Sequence, residues 1–132
     1  AAALATLNII EREGLVKRVE TKGLEFAKKL KDSISQYQCV GDIRGRGFFQ
    51  AIEFVKDKEK KIPFHENMKL AAKLKKKTFE KGLICYPMSG TLDGKNGDHI
   101  LLAPPYILSS ENIDEIVDLL SSTIEDIEKN LN

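Results

Sequence analysis

The side chains that could do chemistry here are few. The chain has two cysteines and two histidines. Cys39 and Cys85 lie far apart in apolar, strand-like contexts, and no C-x-x-C or Cys/His cluster exists, so zinc and redox motifs are absent. They read as buried, reduced thiols of a cytosolic protein. No Ser-His-Asp or Cys-His set can be assembled from so small a stock. Asp98-His99 is an adjacent acid–base pair and is kept as a candidate. His65, after Pro63-Phe64, reads as a helix-entry residue. The nine glycines form neither G-x-G-x-x-G nor a Walker A loop. Gly45-Arg46-Gly47 alone is weak evidence for phosphate binding. Arg44 and Arg46 flank Gly45. A structural arginine there would bridge carboxylates or backbone carbonyls with its fixed fork, whereas a functional one would take a substrate carboxylate bidentately. The structural role is the better fit for Arg44. Arg46 suits either a domain interface or an exposed turn.

These residues need elements to position them. Leu4, Leu7 and Ile10 recur at helical spacing over residues 1–12, and Gly14 is a plausible stop. A second helix, 15–36, has one apolar stripe of Val16, Val19, Gly23, Phe26, Ala27, Leu30 and Ile34. Glycine costs about 1 kcal/mol inside a helix, so Gly23 points to close packing. The period then changes to two. Residues 39–43 read as a strand, 45–47 as a turn or bulge, and 48–55 as a largely buried strand. After a charged loop, a helix over 67–81 would bury Met68, Ala71, Ala72, Lys75 and Phe79, with Gly82 closing it. Residues 83–86 read as a third strand, 87–98 as a polar loop, and 99–103 as a fourth strand ended by Pro104-Pro105. Ser109 caps a last helix whose stripe is Ile113, Ile116, Val117, Leu120, Ile124 and Ile127. The order α-α-β-β-α-β-β-α predicts an α+β, two-layer domain with a mostly antiparallel sheet of about four strands covered by helices.

The bulk properties agree with one globular domain. Hydrophobic residues make up 42% and charged residues 31% of 132 residues. No run approaches a membrane span and no signal peptide is evident. Net charge is +1 but uneven: residues 56–81 carry 10 basic and 4 acidic side chains, and residues 82–132 carry 2 and 9. Solvated helix faces account for this more simply than a nucleic-acid or membrane face. The Lys69–Lys77 set is the one basic patch, and Phe48 and Phe49, being adjacent, point to opposite faces. RNA-binding folds need strand-borne aromatics beside basic residues, so nucleic-acid binding is not expected.

The order of the segments is more specific than any one of them. Val40-Gly41-Asp42-Ile43-Arg44-Gly45-Arg46-Gly47-Phe48-Phe49, followed by Ala51-Ile52-Glu53, resembles the V-G-D-[VI]-R-G-x-G-[LF] and [GA]-I-E segment of class III aminotransferases. Glu80-Lys81-Gly82-Leu83-Ile84 resembles that family's approach to its active site. Gly97-Asp98-His99-Ile100-Leu101-Leu102-Ala103-Pro104-Pro105-Tyr106-Ile107 resembles G-D-H-[IV]-x-x-x-A-P-P-[LF]-[IV]. Ser109 to Leu120 resembles the opening of the last helix, and Ala1 to Gly14 resembles the helix that follows the cofactor domain.

That resemblance implies the C-terminal small domain, residues 1–132, of a fold-type I enzyme dependent on pyridoxal phosphate, with 1–14 ending the helix from a missing cofactor domain. The uncapped start at Ala1 fits such an excision. The family's enzymes are cytoplasmic homodimers whose cofactor is held by a large-domain lysine that this chain lacks. Its partners would be its own large domain, a second identical subunit, and small-molecule amine and keto-acid substrates, and its role to cover the substrate. No catalytic, cofactor-binding or metal-binding residue is then expected here, and the chain alone should be inactive. The substrate-pocket candidates are Tyr86, Met88, Arg44, Arg46 and His99. Relatives place a carboxylate-binding arginine either just after the third strand or in the fourth; here Tyr86 and the 99–103 strand stand there, and no arginine lies between 83 and 109. Carboxylate recognition would then fall to Lys95, the partner subunit or the missing domain. Tyr86 can equally be a half-buried strand-end aromatic. In the family the Asp98-His99 segment starts a strand near the chemistry, which favours a hydrogen-bonding role for His99 over a proton shuttle. The competing reading is a stand-alone ligand-binding or protein-interaction module.

Overall fold

A computed structural model describes residues 1–131. The elements are α1 (Ala2–Arg12), α2 (Leu15–Ile34), β1 (Val40–Arg46), β2 (Phe49–Phe54), α3 (Leu70–Glu80), β3 (Tyr86–Met88), β4 (Asp98–Leu102) and α4 (Ser110–Lys129). The four strands form one antiparallel sheet in the order β1-β2-β4-β3. Helices α2, α3 and α4 cover one face, and the other is left open. The expected two-layer α+β architecture is therefore the one observed.

The core follows from period-two burial on the strands. Ile43, Ile52, Phe54, Ile100 and Leu102 point into the helical layer and meet Phe26, Leu30 and Ile34 of α2 and Ile113, Leu120 and Ile124 of α4. Burying a side chain of that size contributes about 1.5–3 kcal/mol. Gly23 has the expected reason: a Cβ there would lie 2.5 Å from the Cα of Gly47, so the turn between β1 and β2 rests directly on α2. Gly14 adopts φ 59° and breaks α1 from α2. Ser109 caps α4 with a reciprocal box: its hydroxyl accepts from the Asn112 amide at 3.2 Å.

Three expectations are corrected. Gly45 and Arg46 belong to β1, which runs to Arg46 because Gly45 pairs with Gln50 and Arg46 with Phe49; the turn itself is Gly47-Phe48. The third strand is Tyr86–Met88 and not 83–86, because only these residues reach β4 while Leu83 bonds back to the Thr78 carbonyl. Helix α3 starts later, at Leu70, and buries Leu70, Ala71, Leu74 and Thr78; Phe79 is 69% exposed. The expected stripe was one residue out of phase, because a run of lysines leaves either phase open. Helix α1, whose apolar residues recur at helical spacing, buries no side chain within this domain.

The charge asymmetry is partly answered within the fold. Asp126 of α4 accepts from Lys81 at 2.9 Å, and Asp114 meets Lys29 of α2. The acidic helix is thus a partner for lysines on two neighbours as well as a solvated face.

Candidate functional site

The open face of the sheet collects the chemistry. Strand alternation sends Asp42, Arg44 and Arg46 of β1 to it, with Phe49, Ala51 and Glu53 of β2, His99 and Leu101 of β4, and Tyr86 and Met88 of β3. Register then sets neighbours. Arg44 stands opposite Ala51, Ala51 opposite Leu101, and Leu101 opposite Tyr86. One pair along, Asp42, Glu53, His99 and Met88 make a second row. All five sequence-derived candidates therefore share one face. They do not form one contact cluster, since Arg44 and Tyr86 are three strand spacings apart, about 14 Å.

Arg44 is occupied. Its Nη1 donates to Asp42 at 2.8 Å and to Glu53 at 2.6 Å. The guanidinium holds the Asp42 carboxyl below its ordinary range, and the two acids push Arg44 higher still. This is the bridging role expected of a structural arginine. The pairs are exposed and contribute little to stability, but they neutralise the centre of β1. Arg46 is exposed, with no hydrogen bond or ion pair among the described residues. Tyr86 is 63% exposed, so it is not a half-buried aromatic, and Met88 lies beside it, also open. His99 is half-buried between Glu53 and Met88, and its Nδ1 is buried without a partner.

Asp98 points the other way. It is 5% exposed and accepts from the Ala71 amide at 3.2 Å. Helix α3 has no side-chain cap of its own, because the residue at its cap position is Lys69, whose ammonium has no acceptor to offer. Asp98 supplies that cap from 27 residues away. Burial raises its pKa, against the opposing effects of the Ala71 amide and nearby His99. The Asp98-His99 dipeptide is thus split across the sheet, and the two side chains do not act as a pair.

Two positioning features were not legible beforehand. Arg18 donates to the Leu108 carbonyl at 2.9 Å, which ties the segment after Pro104-Pro105 to α2 and leaves Tyr106 and Ile107 exposed. Leu101 and Ala51 form the apolar middle of the open face; alternation on β2 pointed to Ala51, but the unbroken apolar run Ile100-Leu101-Leu102 of β4 hid Leu101. Neither thiol is activated: burial pushes Cys39 up to about 12, and burial also raises Cys85, which donates to Thr78. No group of acids, histidines and cysteines among the described residues could hold a metal ion. No helix among them is long and apolar enough to cross a membrane.

The family profile of aminotransferase class III matches residues 1–124. The chain belongs to the class III aminotransferases. An uncharacterized aminotransferase of Schizosaccharomyces pombe is 45% identical over 124 residues, covering 94% of this chain and 27% of that protein. A Bacillus anthracis aminotransferase structure superposes with a TM-score of 0.85 at 40% identity, over 94% of this chain and 27% of that one. A PLP-bound aminotransferase mutant from Vibrio fluvialis gives 0.87 at 31% identity, over 98% and 27%. This class III chain thus spans about a quarter of the length of the relatives it matches.

Proposed function

We propose that the chain is the small, substrate-covering domain of an aminotransferase dependent on pyridoxal phosphate, which moves an amino group from an amine or amino acid to a keto acid or aldehyde. The observation that carries this reading is the gathering of Arg44, Arg46, Tyr86, Met88 and His99 on one uncovered sheet face. Around it the helical layer also leaves Val16, Leu24 and the apolar side of α1 exposed. Such surface on a domain of this size suits packing against a larger body.

The chain's own residues do not fit the cofactor. None of the four strands carries a lysine, and the acids at the centre of the open face are bound by Arg44. Pyridoxal phosphate would be held elsewhere in a longer polypeptide and would there supply the electron sink. The residues here do other work. Tyr86, Leu101 and Met88 present an apolar surface that excludes water, and the Arg44 bridge stiffens the hairpin that borders it. In this reading the working enzyme is a cytoplasmic homodimer, and residues 1–14 connect to the cofactor domain.

The test divides the labour. The polypeptide encoded by the full reading frame, loaded with pyridoxal phosphate, is assayed for amino transfer to pyruvate and to aldehydes. The 132-residue chain is assayed alone. Activity only in the longer polypeptide is expected. Amino transfer by the short chain, or stoichiometric cofactor retained by it through gel filtration, would refute the assignment.

A further inference from the structure

The helical layer has an outer face, turned away from the open sheet. Helix α4 lies in its middle, in contact with α2 and with α3. Three of its acids find cations: Asp114 meets Lys29, Asp126 meets Lys81, and Glu125 meets Lys129 of the same helix. Glu111, Glu115 and Asp118 have no ion pair among the described residues, and all three are exposed. They recur at i, i+4 and i+7, so they form one row on the solvent side of α4. Lys69, Lys73 and Lys76 repeat that spacing along α3, and they too are exposed. Lys69 and Lys73 meet no acid among the described residues, and Lys76 reaches only Glu80, at 3.8 Å.

Each row works against its own helix. Like charges three or four residues apart are destabilising. Lysines at the start of α3 also face the positive end of its dipole. The dipole of α4 accounts for Glu111 in the first turn, but not for Asp118, two turns further on. Charge that opposes its own helix and is not answered inside the domain is a local conflict of the sort found at functional surfaces.

The two rows occupy opposite ends of one surface. Helix α3 runs antiparallel to α4: Lys81, just past α3, donates to Ser122 at 3.0 Å, whereas Lys73 lines a groove with Ile127, Asn130 and Leu131. The basic row therefore borders the end of α4, and the acidic row lies at its start, about 20 Å away.

We propose that this face pairs with the same face of a second copy, about a two-fold axis passing near Ser122. Each basic row then meets the acidic row of the other copy. A two-fold contact uses every row twice and leaves none over, and the matching spacing brings the charges into register. The 20 residues of α4 make a strip about 30 Å long, and α3 beside it gives a width of about 20 Å. Pairing two such strips buries about 1,200 Å2 in total, the lower end of specific interfaces, so the contact is weak and salt-sensitive. A nucleic acid or an anionic membrane would suit the lysines but would be repelled by Glu111, Glu115 and Asp118. With the larger body on the open sheet face, as in the reading above, this outer face stays in solvent.

The test is sedimentation of the cofactor-loaded full-length enzyme. At about 20 mM salt the particle should have twice the mass it has at about 500 mM, where exposed charges are screened. Lys73→Glu/Lys76→Glu and Glu115→Lys/Asp118→Lys should each keep the high-salt mass at low salt. Mixed one to one, the two variants should form the doubled particle, because one carries only acidic rows and the other only basic rows. A variant with all four changes should double by itself. No doubling of the wild type, or no recovery in the mixture, overturns the proposal. Doubling lost in the lysine variant but kept in the acid variant assigns the lysines to a different partner and also overturns it. The measurement needs no amino transfer, so an inactive enzyme would sink the transaminase reading and still decide this one.

Discussion

Asp98 offers the sharpest test of how this domain is held together. Its carboxylate is the remote cap of α3, and Asp98→Ala removes it. The loss has two parts. A missing cap costs about 0.5–2 kcal/mol, and the Ala71 amide, left without its buried acceptor, costs about 1–3 kcal/mol. These describe overlapping events, so a loss of about 2 kcal/mol is expected, seen as a lower urea midpoint with unchanged slope. Asp98→Asn keeps an acceptor oxygen and should lose less than half as much. The pH dependence has a definite sign. Burial raises the folded pKa above the unfolded value of 3.8. The protonated form is favoured on folding, so the group's contribution is full below 3.8 and is lost as pH rises through the folded value. Wild type should therefore lose stability relative to Asp98→Asn as pH rises through that window. An Asp98→Ala protein as stable as wild type refutes the remote-cap argument, and a gap that moves the opposite way with pH refutes the dominance of burial over the Ala71 amide.

Gly23→Ala improves helix propensity by about 1 kcal/mol yet drives a Cβ to 2.5 Å from Gly47 backbone, which cannot step aside as a flexible side chain would. A net destabilisation of at least about 1 kcal/mol is expected in chemical denaturation. Cys39, with its thiol at about 12, should resist a disulfide-exchange reagent at pH 8 in the folded chain and react freely once unfolded; Cys85, half-buried, should react first.

Much of the fold was legible because local rules and burial agreed. Helices α2 and α4 announce themselves through long apolar stripes with lysines and acids on their other sides. Ser109 is a cap by local chemistry, and Gly23 on an apolar helix stripe pointed to close packing. The segment order pointed to the family, since it depends on residue types and spacing alone. Where two answers were locally equal, tertiary contacts decided. The phase of α3 was open because its lysines allow either face, and packing against β4 and α4 chose Leu70, Leu74 and Thr78. The third strand slid to Tyr86–Met88 because pairing requires a partner in β4, which no local propensity specifies. The site shows the same division. Sequence named Arg44, Arg46, Tyr86, Met88 and His99 singly. Register put them on one face, because a period-two strand commits every second side chain once its neighbour is fixed. Only the fold could show that Arg44 is occupied, that Arg46 is free, and that Asp98 and His99, adjacent in the chain, serve opposite sides of the sheet.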